Sequence, residues 1–67
     1  MSVYKILELV GTSENSWEEA AATAINQARK TLRGLRVAEV TQLDMHLAED
    51  GSIAAYRTKV KLSFKHE

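Results

Sequence analysis

The chain has 67 residues, which is one domain spanning 1–67 and too few to bury a large core alone. Nine Lys and Arg balance nine Asp and Glu, so the net charge supplies no general attraction to nucleic acid or an anionic membrane. There is no cysteine, hence no disulfide framework and no thiolate site, and with no proline and three glycines the chain does not read as a linker.

The first element is VYKILELVG, residues 3–11, rich in β-formers and closed by Gly11. The N-terminal apolar run is too short for a signal peptide or a spanning helix, and a cytoplasmic location is expected. Ser16 and Glu19 then have the S-x-x-E spacing of a capping box. A helix is predicted from about Trp17 to Arg33. Its stripe is Trp17, Ala20, Ala21, Ala24, Ile25, Ala28 and Leu32, at three- and four-residue steps. A stripe made mostly of alanine allows close approach to a flat partner such as a sheet. Arg29, Lys30 and Arg33 are expected in the last turn, where cations suit the helix dipole. Gly34 is expected at the left-handed position that ends a helix.

The remainder reads as a long hairpin: a strand over Leu35 to Leu47, a turn at AEDGS, and a strand over Ile53 to Phe64. The last strand alternates. Tyr56, Thr58, Val60, Leu62 and Phe64 share one face, which must lie against the helix. Arg57, Lys59, Lys61 and Ser63 share the other. The predicted class is α+β: a β-α-β-β chain whose three-stranded antiparallel sheet wraps around one helix. One helix cannot cover such a sheet, and its edges need partners. Self-association is the expected solution.

VYKILELVGTSENSWEEAAATAI, the helix end KTLR, the following LR-x-x-EV strand and the closing KVKLSFKHE together resemble the dodecin family. The resemblance covers nearly the whole chain without large gaps. It implies the β-α-β-β fold, a hollow homododecameric shell, flavin storage or sequestration, and no enzymatic activity. The implied ligands are flavin mononucleotide (FMN) or riboflavin. In most dodecins a tryptophan follows the Leu-Arg or Leu-Asp pair and stacks on the flavin, and here that position is Val37. The usual Tyr-Gln pair, whose glutamine bonds the ring edge, is Tyr56-Arg57. A common basic residue of the middle strand is Asp44, which repels a flavin phosphate. These three departures imply weakened flavin recognition on a retained shell.

Other positions keep the family pattern. Thr31, Leu32 and Arg33 match a helix-end segment that contacts coenzyme A or a phosphate in some bacterial members. Lys65 matches a basic residue that reaches a flavin phosphate. Read without the resemblance, Arg33 answers the helix dipole and Lys65 is a solvated strand end.

The stripe of Arg57, Lys59 and Lys61 could hold phosphates or single-stranded nucleic acid. With zero net charge and only Tyr4, Trp17, Tyr56 and Phe64 as aromatics, pairing with Glu8 or Glu39 is the simpler reading. Trp17 reads as a packing or interface residue. His46 and His66 lack a neighbouring nucleophile or carboxylate in any recognised arrangement, and His66 is expected in a frayed tail. No Gly-rich phosphate loop, H-E-x-x-H or nucleophile elbow occurs, so an enzyme is the least favoured class.

Metal is the alternative. Glu49-Asp50-Gly51 is turn-like but does not follow the EF-hand pattern, and calcium takes six to eight oxygens. Symmetry in an oligomer can turn one carboxylate per subunit into a ring. Asp44 is the candidate for such a calcium ring.

Overall fold

The computed structural model describes residues 1–66; Glu67, which closes the KVKLSFKHE segment, lies outside them. The element order is β1 (Val3–Ser13), α1 (Trp17–Ala28), β2 (Leu35–Leu47) and β3 (Ile53–His66). The sheet order is β1-β3-β2, and both pairings are antiparallel. The alternating strand β3 is therefore central. This is why its pattern is the cleanest: it has a strand on each side and the helix on one face. Thr58, Val60 and Leu62 are buried there, as the alternation predicts.

The helix rests on β1 and β3 through Ala20, Ala24 and Ala28, one ridge at i, i+4 spacing, all buried. The expected strand end at Gly11 is instead the point of closest approach. A Cβ at Gly11 would lie 1.9 Å from the Ala20 carbonyl oxygen and 3.0 Å from the Ala24 Cβ. Hydrogen where other residues carry carbon lets the helix backbone sit directly on β1, and the strand runs two residues further, to Ser13.

Ser16 is the N-cap. The Glu19 backbone N–H donates to its Oγ at 3.0 Å. The reciprocal half of the capping box is not made. The Glu19 carboxylate accepts from Ser13 Oγ at 3.1 Å and Asn15 Nδ2 at 2.8 Å, while the Ser16 N–H turns to Ser13 Oγ at 3.4 Å. Ser16→Ala is expected to lower stability by about 0.5–2 kcal/mol through loss of the cap. A thermal or denaturant midpoint equal to that of the unmodified protein would contradict it.

The helix ends at Ala28, five residues before the expected Arg33. Beyond it the chain tightens into turns. Lys30 N–H donates to Gln27 O at 3.3 Å, and the N–H groups of Thr31 and Leu32 both donate to Ala28 O. Leu32 packs against the core from these turns, as its place in the stripe predicts. Arg29 is thus the C-cap, and Lys30 and Arg33 lie past the helix rather than in its last turn. Gly34 does take a positive φ of 76°, but as the joint into β2, where its carbonyl accepts from Lys65 N–H at 3.1 Å. His66 is not frayed; it ends β3, opposite Val3.

The core is small and off-centre. Helix α1 meets β2 only sparsely, and Val40, Leu43 and Met45 of β2 remain about half exposed on the helix side of the sheet. Between α1 and β2 lies an apolar groove of about 590 Å³, bordered by Trp17, Ala21, Ile25, Val40 and Leu43. None of the described helices is long and apolar enough to cross a membrane.

Candidate functional site

Residues directly opposite in an antiparallel pair project to the same face. The register therefore shows what shares the face away from the helix. Asp44 stands opposite Arg57, Gln42 opposite Lys59, Glu39 opposite Lys61, and Val37 opposite Ser63. From β1, Thr12, Val10 and Glu8 face the same three cationic positions of β3. The basic stripe is thus a central row flanked by acidic and neutral partners, with Lys61 between Glu8 and Glu39.

Asp44 and Arg57 form a two-pronged ion pair. Arg57 Nε donates to Asp44 Oδ1 at 2.7 Å, and Arg57 Nη2 donates to Oδ2 at 3.1 Å. Gln42 Nε2 adds a longer contact to Oδ2 at 3.4 Å. The hydrogen bonds from Arg57 hold the Asp44 carboxyl below the usual carboxylate range; slight desolvation opposes this, and the charges of Arg57 and Lys59 reinforce it. Planar guanidinium matches planar carboxylate in this geometry, which a lysine could not reproduce.

The backbone of Asp44 is held as well. Trp17 Nε1 donates to the Asp44 carbonyl at 2.9 Å. The indole ring meets Tyr56 edge to face, with centroids 5.1 Å apart. Thr58 Oγ1 donates to the Trp17 carbonyl at 2.8 Å. Three strand residues thereby clamp the start of α1. Sequence reasoning reads Trp17 as packing and misses its bond to Asp44. The available signal is an indole N–H at a half-buried helix start, which needs an acceptor.

The residues singled out from the sequence fall into separate places. Asp44 and Arg57 are in contact. Val37 is exposed near the other end of β2, roughly 20 Å along the strand from Asp44. Arg33 and Lys65 meet across a cleft of about 230 Å³, together with Gly34, Arg36 and Phe64. Arg36 was not anticipated there. It occupies an irregularity in the register between Leu35 and Val37. Thr31 directs its hydroxyl to Ala28 O at 3.5 Å, and Leu32 packs on the core. One chain therefore does not gather Val37, Asp44 and Arg57 into a single pocket. Among the described residues no group of three or more His, Cys, Asp or Glu side chains is placed to hold a metal ion.

Among the described residues a sheet half-covered by a single helix, with half-exposed apolar residues beside the groove, defines a subunit-type domain whose exposed faces suit contact with further chains. The dodecin family model matches residues 3–67. The chain is 48% identical over 65 residues to calcium dodecin of Mycobacterium tuberculosis, covering 97% of this chain and 90% of that one. It is 42% identical over 65 residues to dodecin of Thermus thermophilus, covering 97% and 93%. The crystal structure of the M. tuberculosis calcium dodecin, described as a calcium-chelating antigen with a novel calcium-binding site, superposes with a TM-score of 0.87 at 45% identity, covering 98% and 93% of the two chains. The protein belongs to the dodecin family.

Proposed function

We propose that this protein is a non-enzymatic binding protein that assembles into a closed homo-oligomeric shell of twelve subunits and holds calcium in preference to flavin. The observation that carries the part of the reading that sets flavin aside is the Asp44–Arg57 pair. Two positions that the resemblance assigns to flavin recognition are engaged with each other, and the third, Val37, is aliphatic. The similarity to calcium dodecin supports the choice of ion.

Calcium requires six to eight hard oxygens. The carboxylates present have the right chemistry, but one chain does not bring enough of them together. The reading therefore requires oxygens from several subunits, gathered by symmetry. Coverage of Val40, Leu43 and Ile25 by neighbouring copies is the physical drive for that assembly, because burying apolar surface is its main favourable term.

A second reading is favoured by the cleft of Arg33, Arg36 and Lys65. Three cations around one concavity suit a phosphate-bearing ligand, such as FMN or coenzyme A. On this reading flavin binds weakly and through its phosphate. The ribityl isoalloxazine without phosphate, riboflavin, would then bind more weakly than FMN.

Native mass spectrometry with calorimetric titration of calcium, FMN and riboflavin tests both. The expected result is a colourless multi-subunit species that binds calcium and shows little affinity for flavin. A stable monomer at micromolar concentration would overturn the shell. Tight, strongly quenched flavin binding would overturn the choice of ligand.

A further inference from the structure

We infer that the exposed Asp50–Gly51 step, in the turn between β2 and β3, is a site of isoaspartate formation, and that Ser52 is the lock that restrains this modification in the folded chain. Neither part depends on which ligand the protein binds.

An Asp-Gly step rearranges with water alone. The Gly51 nitrogen bonds to Asp50 Cγ, and the carboxyl hydroxyl leaves with the amide proton as water. The product is a five-membered succinimide. Water then adds at one of its two carbonyls. Opening at Cγ returns aspartate. Opening at the main-chain carbonyl leaves the backbone running through Cβ and Cγ, with a free α-carboxylate. Glycine obstructs ring closure least, because it has no Cβ.

The fold leaves this step open. Strand β1 reaches along β3 only as far as Tyr56, so the hairpin beyond it has two strands. Asp50, Gly51 and Ser52 are all exposed, and no atom lies within 4 Å of the Gly51 Cβ position. A two-stranded hairpin is marginal by itself. The hydrogen bonds of the tip therefore decide how long Asp50 and Gly51 keep their places.

Those bonds hold both reacting groups apart. Ser52 Oγ donates to Asp50 Oδ1 at 2.6 Å, and Ser52 N–H donates to the same oxygen at 3.0 Å. The two bonds keep the Asp50 carboxyl below the usual carboxylate range, against slight desolvation, whereas ring closure consumes the neutral acid. The nucleophile is engaged as well. Gly51 N–H donates to Ala48 O at 2.9 Å, and Ala48 N–H donates to Ser52 O at 2.8 Å. Closure requires Asp50 to leave Ser52 and Gly51 to leave Ala48. Once formed, isoaspartate adds one carbon to the main chain and moves the carboxylate that Ser52 binds, so the tip cannot close as before.

The test is timed incubation of the assembled protein at neutral pH, below its thermal midpoint, beside a peptide of the tip sequence AEDGSI as the unlocked reference. Ser52→Ala, Ser52→Thr and Gly51→Ala are each compared with the peptide carrying the same change, which removes the intrinsic effect of the side chain. Peptide mapping with electron-transfer fragmentation, and methyl transfer by an isoaspartyl methyltransferase, measure the product at Asp50. The parent should convert more slowly than its peptide. Relative to its own peptide, Ser52→Ala should convert about two- to tenfold faster than the parent, the range for one lost hydrogen bond. Ser52→Thr, which keeps the hydroxyl, should match the parent, and Gly51→Ala should convert least. A parent as fast as its peptide overturns the lock, and so does a Ser52→Ala rate equal to the parent's after the peptide correction. Absence of isoaspartate at Asp50 from every folded variant, Ser52→Ala included, overturns the site. If Ser52→Ala does not fold, the ratio of parent to peptide decides.

Discussion

Gly11→Ala is expected to leave this chain unable to form a stable fold or assembly. The added Cβ would be 1.9 Å from the Ala20 carbonyl oxygen and 2.9 Å from its carbon. Both atoms are backbone, so no rotamer change relieves the contact, and α1 must lift from β1. Lifting separates the Ala20, Ala24 and Ala28 ridge from the sheet along its length. Overpacking typically costs about 1–3 kcal/mol, and a backbone obstruction belongs at or above the top of that range. At about 0.05–0.15 kcal/mol per residue, a domain of this size has little stability to lose. Soluble yield, the thermal midpoint by circular dichroism and native mass would measure the effect. Gly51→Ala is the control: no atom lies within 4 Å of its Cβ position, and only its φ of 87° opposes a side chain. A Gly11→Ala protein with the parent's midpoint and mass would refute the close approach of helix and strand.

The triple variant Val37→Trp/Asp44→Arg/Arg57→Gln is expected to gain FMN affinity by about two powers of ten, each requiring about 1.4 kcal/mol. A stacked aromatic pair accounts for about 0.5–1.5 kcal/mol of this beyond burial. The rest is electrostatic. Taken as separate positions, Val37 and Arg57 could be reverted without touching Asp44. The ion pair changes that expectation. Arg57→Gln alone releases an unpaired carboxylate, which repels a phosphate brought near it by assembly more than the neutralised pair does. Val37→Trp/Arg57→Gln should therefore gain less than the triple variant. The difference should be clear with FMN and nearly absent with riboflavin, which has no phosphate. Fluorescence titration reads both, since a stacked tryptophan quenches the bound ring. Equal FMN gains in the double and triple variants would show that Asp44 takes no part in flavin discrimination.

Much of the fold was legible because its signals are local. Ser16 declares itself by type and by its distance from Glu19, and the N-cap bond forms as that spacing predicts. The alternation of Thr58, Val60 and Leu62 against Arg57, Lys59 and Lys61 reflects a pleat that places successive residues on opposite faces. The bounds of β2 follow from Gly34 before it and the AEDGS turn after it. The end of α1 was misjudged for an equally physical reason. Arg29, Lys30 and Leu32 suit a longer helix by propensity, and no local signal marks the change to tighter turns after Ala28.

The candidate site was legible in its residues and not in their relations. Val37, Asp44 and Arg57 stood out singly against the family pattern, but periodicity cannot say which of them touch. Asp44 and Arg57 are 13 residues apart and Trp17 and Asp44 are 27 apart, so both contacts depend on strand register and helix placement. The cleft of Arg33, Arg36 and Lys65 likewise needs Gly34 docked on β3. The sequence by itself determined the element order, the helix cap, the two faces of β3 and the need for partners, because capping and side-chain periodicity act over a few neighbouring residues. Only the tertiary structure decided that β3 is central, that Gly11 meets Ala20, and that Arg57 closes on Asp44, because those contacts join segments whose distance along the chain says nothing of their distance in space.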